Sequence, residues 1–363
     1  MVIIFFMVSL WTPLIIAMTT PAKDVSLTEK RKLAPLPALE WKTLSSFPKE
    51  FEAYYNDHFG LREQLLQGYN YYQFSLLNIS SSNRVIVGKN GWLFQNGGDH
   101  VKDIRNIWPF SPAELQHWAN ILSLKHQWLQ ERGIKYVFMV TPSKHLIYPE
   151  QLPKAFQPAQ PQSRADQLIR YLQEHTKVPV IDMRKALHKE KKKLRPYHKT
   201  DTHWNPYGAF IGYRETMRYL KKQLPAIQSV PLKRKQFQMV ERPGGDLAQS
   251  LNVEKSIKEE VPEPASWNAS CLQNSTLQGE QNDASRNKEW FATTCAPKKY
   301  RVLMFRDSYS LAMMPYLSQS FHYIYYIPHS PVRIKNMQEI VSQQNPDIVI
   351  EQRATRWLRT PEG

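Results

Sequence analysis

Cysteine is close to absent. The 363 residues hold two, Cys271 and Cys295, too few for a disulfide framework, so the fold has to rest on a hydrophobic core. A chain of this length with 42% apolar residues can build one, as one large domain or two modest ones. No internal repeat is visible. Acidic residues are in short supply, 32 against 48 Lys and Arg, and the formal charge of +16 asks for an anionic partner such as nucleic acid, anionic lipid or an acidic polysaccharide. Charge of either sign is missing from the first 22 residues, "MVIIFFMVSLWTPLIIAMTTPA".

An uncharged apolar segment of that length can cross a hydrocarbon core of ~30 Å as a helix. Two readings fit it. "AMTTPA" has the small residues of a signal-peptide cleavage site, whereas the long apolar run and the lack of a basic n-region favour an uncleaved anchor, which is the expectation here. Lys23, Lys30, Arg31 and Lys32 follow the segment, against the usual placing of basic residues on the cytoplasmic side. Under both readings the remainder is exported, so nucleic acid drops out as a partner. The two cysteines then meet an oxidising compartment and are expected to pair. Sequons occur at Asn268 and Asn274, a weak signal.

The expected organisation is a membrane segment over 1–22, a linker over 23–46 and one domain over 47–363, with a polar insertion around 254–300. The domain opens on the amphipathic, aromatic "FPKEFEAYYNDHFGLREQLLQGYNYY". Ser111-Pro112-Ala113-Glu114 has capping-box spacing with Pro at the first helical position, and Leu115, Trp118, Leu122 and Leu129 follow at helical period. Further helices are predicted over 163–175 and 206–223, the latter capped by Asn205, then from about Tyr309 and over 335–343. Between them "IKYVFMV", "VPVID", "YRVLMF", "HYIYYI" and "DIVIEQ" read as buried strands. The class is therefore α/β with a mainly parallel sheet, and ligands bind such sheets at the carboxyl ends of the strands.

Two places combine reactive side chains with such a setting. "YRVLMFRDSYS" puts Ser308 at a strand-to-helix turn, where a hydroxyl stands at the top of the sheet and backbone N–H groups can hold an oxyanion. An ordinary helix cap is the plain alternative. "PYHKTDTHWNPYGAF" puts Asp201 and His203 two residues apart, on one side of an extended chain, as a carboxylate orienting a general base requires. The plain alternative is a polar loop that satisfies a helix start. Adding His198 would make a metal set of three, with no further strong ligand cluster nearby, and no metal or cofactor is expected. Lys144 and Tyr148 in "TPSKHLIYPE", and Arg306 beside Ser308, are candidates to line the site. The basic run "RKALHKEKKKLRPYHK" leads into the Asp-x-His loop and reads as a solvated face or as a ramp that gathers polyanion.

"TDTHWNPYGA" and "RDSYS", with "NGWLF", "YYNDHFGLREQL", "PGGDLA" and "NPDIVIEQ", together resemble the alginate O-acetyltransferases of the AlgJ/AlgX type. The resemblance covers roughly 47–357. It implies an SGNH-hydrolase-like three-layer fold with a permuted motif order, Ser308 as nucleophile, His203 as base and Asp201 as its carboxylate. Because the chain ends shortly after "TRWLR", it looks more like the membrane-anchored, single-domain AlgJ type than the AlgX type with its carbohydrate-binding module. Implied partners are a polysaccharide acceptor, expected to be acidic from the charge, and a membrane-bound acyl-transfer protein as acetyl donor, with the domain periplasmic and held at the bacterial inner membrane. An extracytoplasmic SGNH-type carbohydrate esterase with the same triad, and a non-catalytic glycan-binding scaffold of a polymer-export complex, stay open as alternatives.

Overall fold

The structure, a computed structural model, describes residues 1–21, 24–26, 31–265, 269–273, 275–277, 290–296, 298–328 and 332–362. A seven-stranded sheet organises the chain in the order Val180–Asp182, Lys135–Thr141, Ile348–Ala354, Arg301–Phe305, Tyr323–Ile327, Phe291–Thr294, Ser275–Leu277. The first five are parallel and the last two antiparallel to their neighbours. In Ile348–Ala354 every residue is buried, and in Lys135–Thr141 all but the first are, as expected of strands covered on both faces.

Alternation along the strands sorts their side chains into two cores. Val137, Met139, Met304 and Ile350 pack on one face with Tyr207, Ile211 and Leu317. Tyr136, Phe138, Val140, Leu303 and Val349 pack on the other with Trp118, Leu168 and Met337. Each buried aliphatic or aromatic side chain contributes roughly 1.5–3 kcal/mol. The helix Pro206–Gln223 thus covers one face, and Pro112–Gln130, Arg164–His175 and Ile334–Gln344 the other, which is the expected three-layer sandwich. Local chemistry starts these helices where the sequence predicts. Ser111 and Ser163 form capping boxes with Glu114 and Asp166, and the Asn205 side chain accepts the Gly208 N–H.

The structure departs from expectation in places, one of them with a local cause. The helix expected from Tyr309 is a 3₁₀ segment, Ser308–Met313, followed by one α-turn, Met314–Leu317, because Pro315 has no N–H to continue the ladder. Within the polar stretch 254–300, Lys258–Pro264 pairs with Phe237–Pro243 as a ribbon, and Phe291–Thr294 joins the main sheet. Cys271 and Cys295 form a disulfide that ties this stretch to itself; Asn268 and Asn274 lie outside the described residues. A small third core, of Val85, Leu93, Leu247, Ala248, Leu251 and Val253, joins the hairpin Val85–Val87/Leu93–Gln95 to the short helix Asp246–Ser250. At the N-terminus Val2–Thr19 is one apolar helix, long enough to span a bilayer and 6% buried.

The register brings Ala354 opposite Thr141 and Phe305 opposite Glu351. Lys135–Thr141 and Ile348–Ala354 therefore end together, Arg301–Phe305 ends three residues short of them, and the loops that follow share one rim.

Candidate active site

The turn after Arg301–Phe305 is held by Asp307. One carboxylate oxygen accepts from the Tyr309 N–H at 2.9 Å and from Gln352 Nε2 at 2.8 Å; the other accepts from the Ala354 N–H at 2.6 Å. Asp307 is thus the cap of the 3₁₀ segment, and Ser308, expected as the possible cap, is not. Its hydroxyl is left for other chemistry. The Ser308 backbone N–H has no acceptor among the described residues.

The second loop is closed at its base by a bridge between Tyr197 and Trp204. Lys144 fills its interior. Only 4% exposed, its ammonium donates to the carbonyls of His198 (3.1 Å), Lys199 (3.0 Å) and Asp201 (2.6 Å). Burial, opposed by nearby carboxylates, lowers this lysine from 10.5 to about 8. Glu259 serves the loop from outside, accepting from the N–H groups of Lys199 and Thr200 and pairing with His198 Nδ1 at 2.6 Å.

Within this frame Asp201 Oδ1 lies 2.7 Å from His203 Nδ1 and accepts the His203 N–H at 2.8 Å. On its other side, His203 Nε2 lies 2.8 Å from Ser308 Oγ. Burial would raise the Asp201 carboxyl, but the hydrogen bond and charge of His203 outweigh it and hold the group well below the usual carboxylate range. The two loops are cross-linked, since Trp204 Nε1 donates to the Tyr309 carbonyl and the Tyr309 hydroxyl donates to the Thr202 carbonyl.

Asp246 adds a second carboxyl group beside His203. It accepts from the Thr202 N–H at 2.7 Å, its own N–H donates to Asp201 Oδ2 at 3.1 Å, and its Oδ2 stands 3.8 Å from His203 Nδ1. Gly245 lets it come this near, because a Cβ there would overlap Asp201. Ligating atoms of Asp201, His203 and Asp246 lie within 4.8 Å of one another, yet both ring nitrogens of His203 already have partners. His198, the third residue of the metal set weighed in the sequence, is turned to Glu259 instead.

Arg356 completes the constellation. Nη2 lies 3.3 Å from Ser308 Oγ and Nη1 donates to Gln95 Oε1 at 2.7 Å. No carboxylate pairs with it among the described residues, so its charge is available to an oxyanion formed at Ser308.

Of the other candidates, Lys144 is a support inside the loop rather than part of an open wall. Tyr148 is core, 7% exposed with its ring 4.2 Å from that of Trp92. Arg306 is 1% exposed and its guanidinium lies over Phe291, 6.0 Å from the ring centre. The side chain of a residue flanking a turn can leave on the opposite face from its neighbour, which the sequence does not reveal. Half of the Lys and Arg in the basic run are engaged in ion pairs, Arg184 with Asp182 and Asp166, Lys191 with Glu150, Lys193 with Glu190 and Arg195 with Glu259, while Lys185, Lys189 and Lys192 are exposed. Sequence reasoning missed Arg356, Asp246 and the Asp307–Gln352 pair. A signal existed for Arg356, which follows directly on a buried parallel strand, where ligands are met.

A model of the SGNH hydrolase-like domain of the acetyltransferase AlgX matches residues 85–323. The chain is 28% identical over 162 residues to a probable alginate O-acetylase AlgJ of Pseudomonas aeruginosa, a match covering 44% of this chain and 38% of that one. To the probable alginate O-acetylase AlgJ of Azotobacter vinelandii it is 25% identical over 230 residues, covering 62% of this chain and 54% of that one. The matched region thus spans about half or less of these relatives. Among solved structures, Bacillus cereus PatB1 shares the fold, with a TM-score of 0.56 at 17% identity over 76% of this chain and 96% of that one.

Proposed function

We propose, for a chain that belongs to the family of SGNH hydrolase-like acetyltransferase AlgX domains, that it transfers acetyl groups to hydroxyls of an exported, acidic, alginate-like polysaccharide through an acetyl-serine. One observation carries the reading: His203 bridges Asp201 at 2.7 Å and Ser308 at 2.8 Å. That is the hydrogen-bonded register a nucleophile, its base and an orienting carboxylate require.

In the first step Ser308 Oγ attacks the acetyl carbonyl of the donor while its proton passes to His203 Nε2. The tetrahedral oxyanion meets the Arg356 guanidinium and the Ser308 N–H. As it collapses, the bond to the donor's leaving oxygen breaks and that oxygen takes the proton from Nε2. In the second step a sugar hydroxyl gives its proton to Nε2 and attacks the acetyl-serine; collapse returns the proton to Ser308 Oγ and releases the sugar ester. Asp201 accepts from Nδ1 throughout, fixing the tautomer and stabilising the transient imidazolium.

The apolar helix Val2–Thr19 supports a domain held at the inner membrane on its periplasmic side, within reach of a membrane-bound acetyl donor. The experiment is incubation with an activated acetyl ester and a uronate oligosaccharide. Ser308→Ala and His203→Ala abolish ester cleavage, and with the parent protein added oligosaccharide captures acetyl at the expense of free acetate. Acetate released at one rate with and without every sugar identifies an esterase instead, a parent protein that cleaves no ester identifies a non-catalytic scaffold, and cleavage that survives both substitutions overturns the triad.

A further inference from the structure

An open groove of about 420 Å³ lies beside the triad, within the range of small-ligand clefts, about 300–1,000 Å³. It shares Gln95, His100 and Thr202 with the small inner cavity that holds Arg356 and Tyr309. The groove thus adjoins the reacting atoms, since Thr202 sits between Asp201 and His203 and Arg356, in the inner cavity, reaches Ser308 Oγ.

The lining is chosen for hydroxyl groups. Gln95 and Asn96 on one wall and Gln249 on the other each offer a donor and an acceptor on a single amide. His100 adds an imidazole that burial, with the charges of Arg356 and Arg359, holds below its ordinary 6.5, so it is neutral and has one donor and one acceptor nitrogen.

The charges are unlike and separately placed. Asp246 stands on the catalytic side, its carboxylate fixed by the Thr202 N–H and 43% exposed. Arg84 stands across the hairpin, its carbonyl accepting the Asn96 N–H, and its exposed guanidinium has no carboxylate partner among the described residues. Arg84 is the one Lys or Arg among the residues lining this groove, and so the cation it offers to an acidic sugar. A sugar carboxylate is repelled at Asp246 and attracted at Arg84, whereas a sugar hydroxyl can donate to Asp246.

We propose that this groove is the acceptor subsite and takes one hexuronic-acid unit in a single orientation, carboxylate on Arg84 and hydroxyl edge on Asp246 and the amides of Gln95 and Asn96. The assignment rests on the acetyl-transfer reading of the same site. It adds that the unit's own charge sets which hydroxyl faces His203.

Binding tests it apart from turnover. The full chain carrying Ser308→Ala, in nanodiscs, is titrated calorimetrically with a trimer of 1,4-linked hexuronic acid and with its carboxyl-reduced, neutral counterpart. The acidic trimer binds more tightly, and adding Arg84→Gln weakens it about tenfold, the scale of a hydrogen bond between charged groups, while flattening its salt dependence. The neutral trimer, which reports an intact groove, binds both proteins equally. Equal affinity for the acidic trimer with and without Arg84, or equal affinity for the two trimers, overturns the subsite. Ester cleavage that persists in the Ser308→Ala protein overturns the triad reading instead and leaves the binding result standing.

Discussion

Gln352 and Asp307 exchange two hydrogen bonds, the Asp307 N–H donating to Gln352 Oε1 at 3.0 Å and Gln352 Nε2 donating to Asp307 Oδ1 at 2.8 Å. Gln352 is fully buried on the central strand and its Nε2 also reaches Thr141 Oγ1. The turn that carries Ser308 is thereby fastened to the neighbouring strand Ile348–Ala354 and, through Thr141, to Lys135–Thr141 beyond it. Gln352→Leu orphans the Asp307 N–H and one carboxylate contact, at about 1–3 kcal/mol. The expected result is a lower Tm together with a lower kcat on an activated acetyl ester. A loss of Tm alone marks Gln352 as structural only.

Arg356 Nη2 lies 3.3 Å from Ser308 Oγ, and Arg356 has no carboxylate partner among the described residues. Arg356→Gln keeps a hydrogen-bonding side chain but removes the charge that meets the oxyanion, so kcat falls about 10²–10³-fold, the scale of a lost oxyanion donor. Steady-state kinetics on the ester measures it, and KM moves much less because the oxyanion exists only after attack.

Lys144 couples the loop to pH. Its folded value of about 8 lies below the 10.5 of an ordinary lysine. In that window the unfolded chain keeps a proton that the folded chain has released, so this group's contribution makes the folded state more stable as pH rises from about 8. Lys144→Met removes that slope, and it leaves three loop carbonyls without their donor at about 1–3 kcal/mol each. Urea midpoints of both proteins across the window give the comparison, and parallel curves contradict it.

The disulfide between Cys271 and Cys295 closes a segment of 24 residues in sequence separation. The denatured, unreduced protein is expected to show no free thiol, and replacing both cysteines by serine costs about 2–4 kcal/mol. Two reactive thiols on titration contradict the pairing.

What was legible in the sequence was what local chemistry decides. Ser111, Ser163 and Asn205 announce helix starts because a cap satisfies donors within its own turn. Runs such as 301–305 announce strands because both faces are buried. Ser308, His203 and Asp201 could be picked out because a strand-to-turn position and a two-residue spacing are local too. The ribbon Phe237–Pro243/Lys258–Pro264 was hidden, since it is stabilised across the chain by pairs such as Arg242–Glu263 on exposed faces with no apolar alternation. Arg356 and Asp246 were hidden because only tertiary register brings them to His203 and Ser308, 48 residues separating Arg356 from the serine it touches. That Lys144 and Tyr148 are buried was hidden for the same reason, as nothing local tells an open rim from a buried support.

The central claim is that acetyl passes through Ser308 to a sugar. Rapid-quench mass spectrometry of the peptide bearing Ser308, with activated acetyl ester present and a uronate oligosaccharide then added, tests it directly. The account predicts an acetyl group on Ser308 that accumulates first and disappears as acetylated oligosaccharide forms, with no such adduct in Ser308→Ala. Acetylated sugar or free acetate formed at an undiminished rate by Ser308→Ala would contradict it.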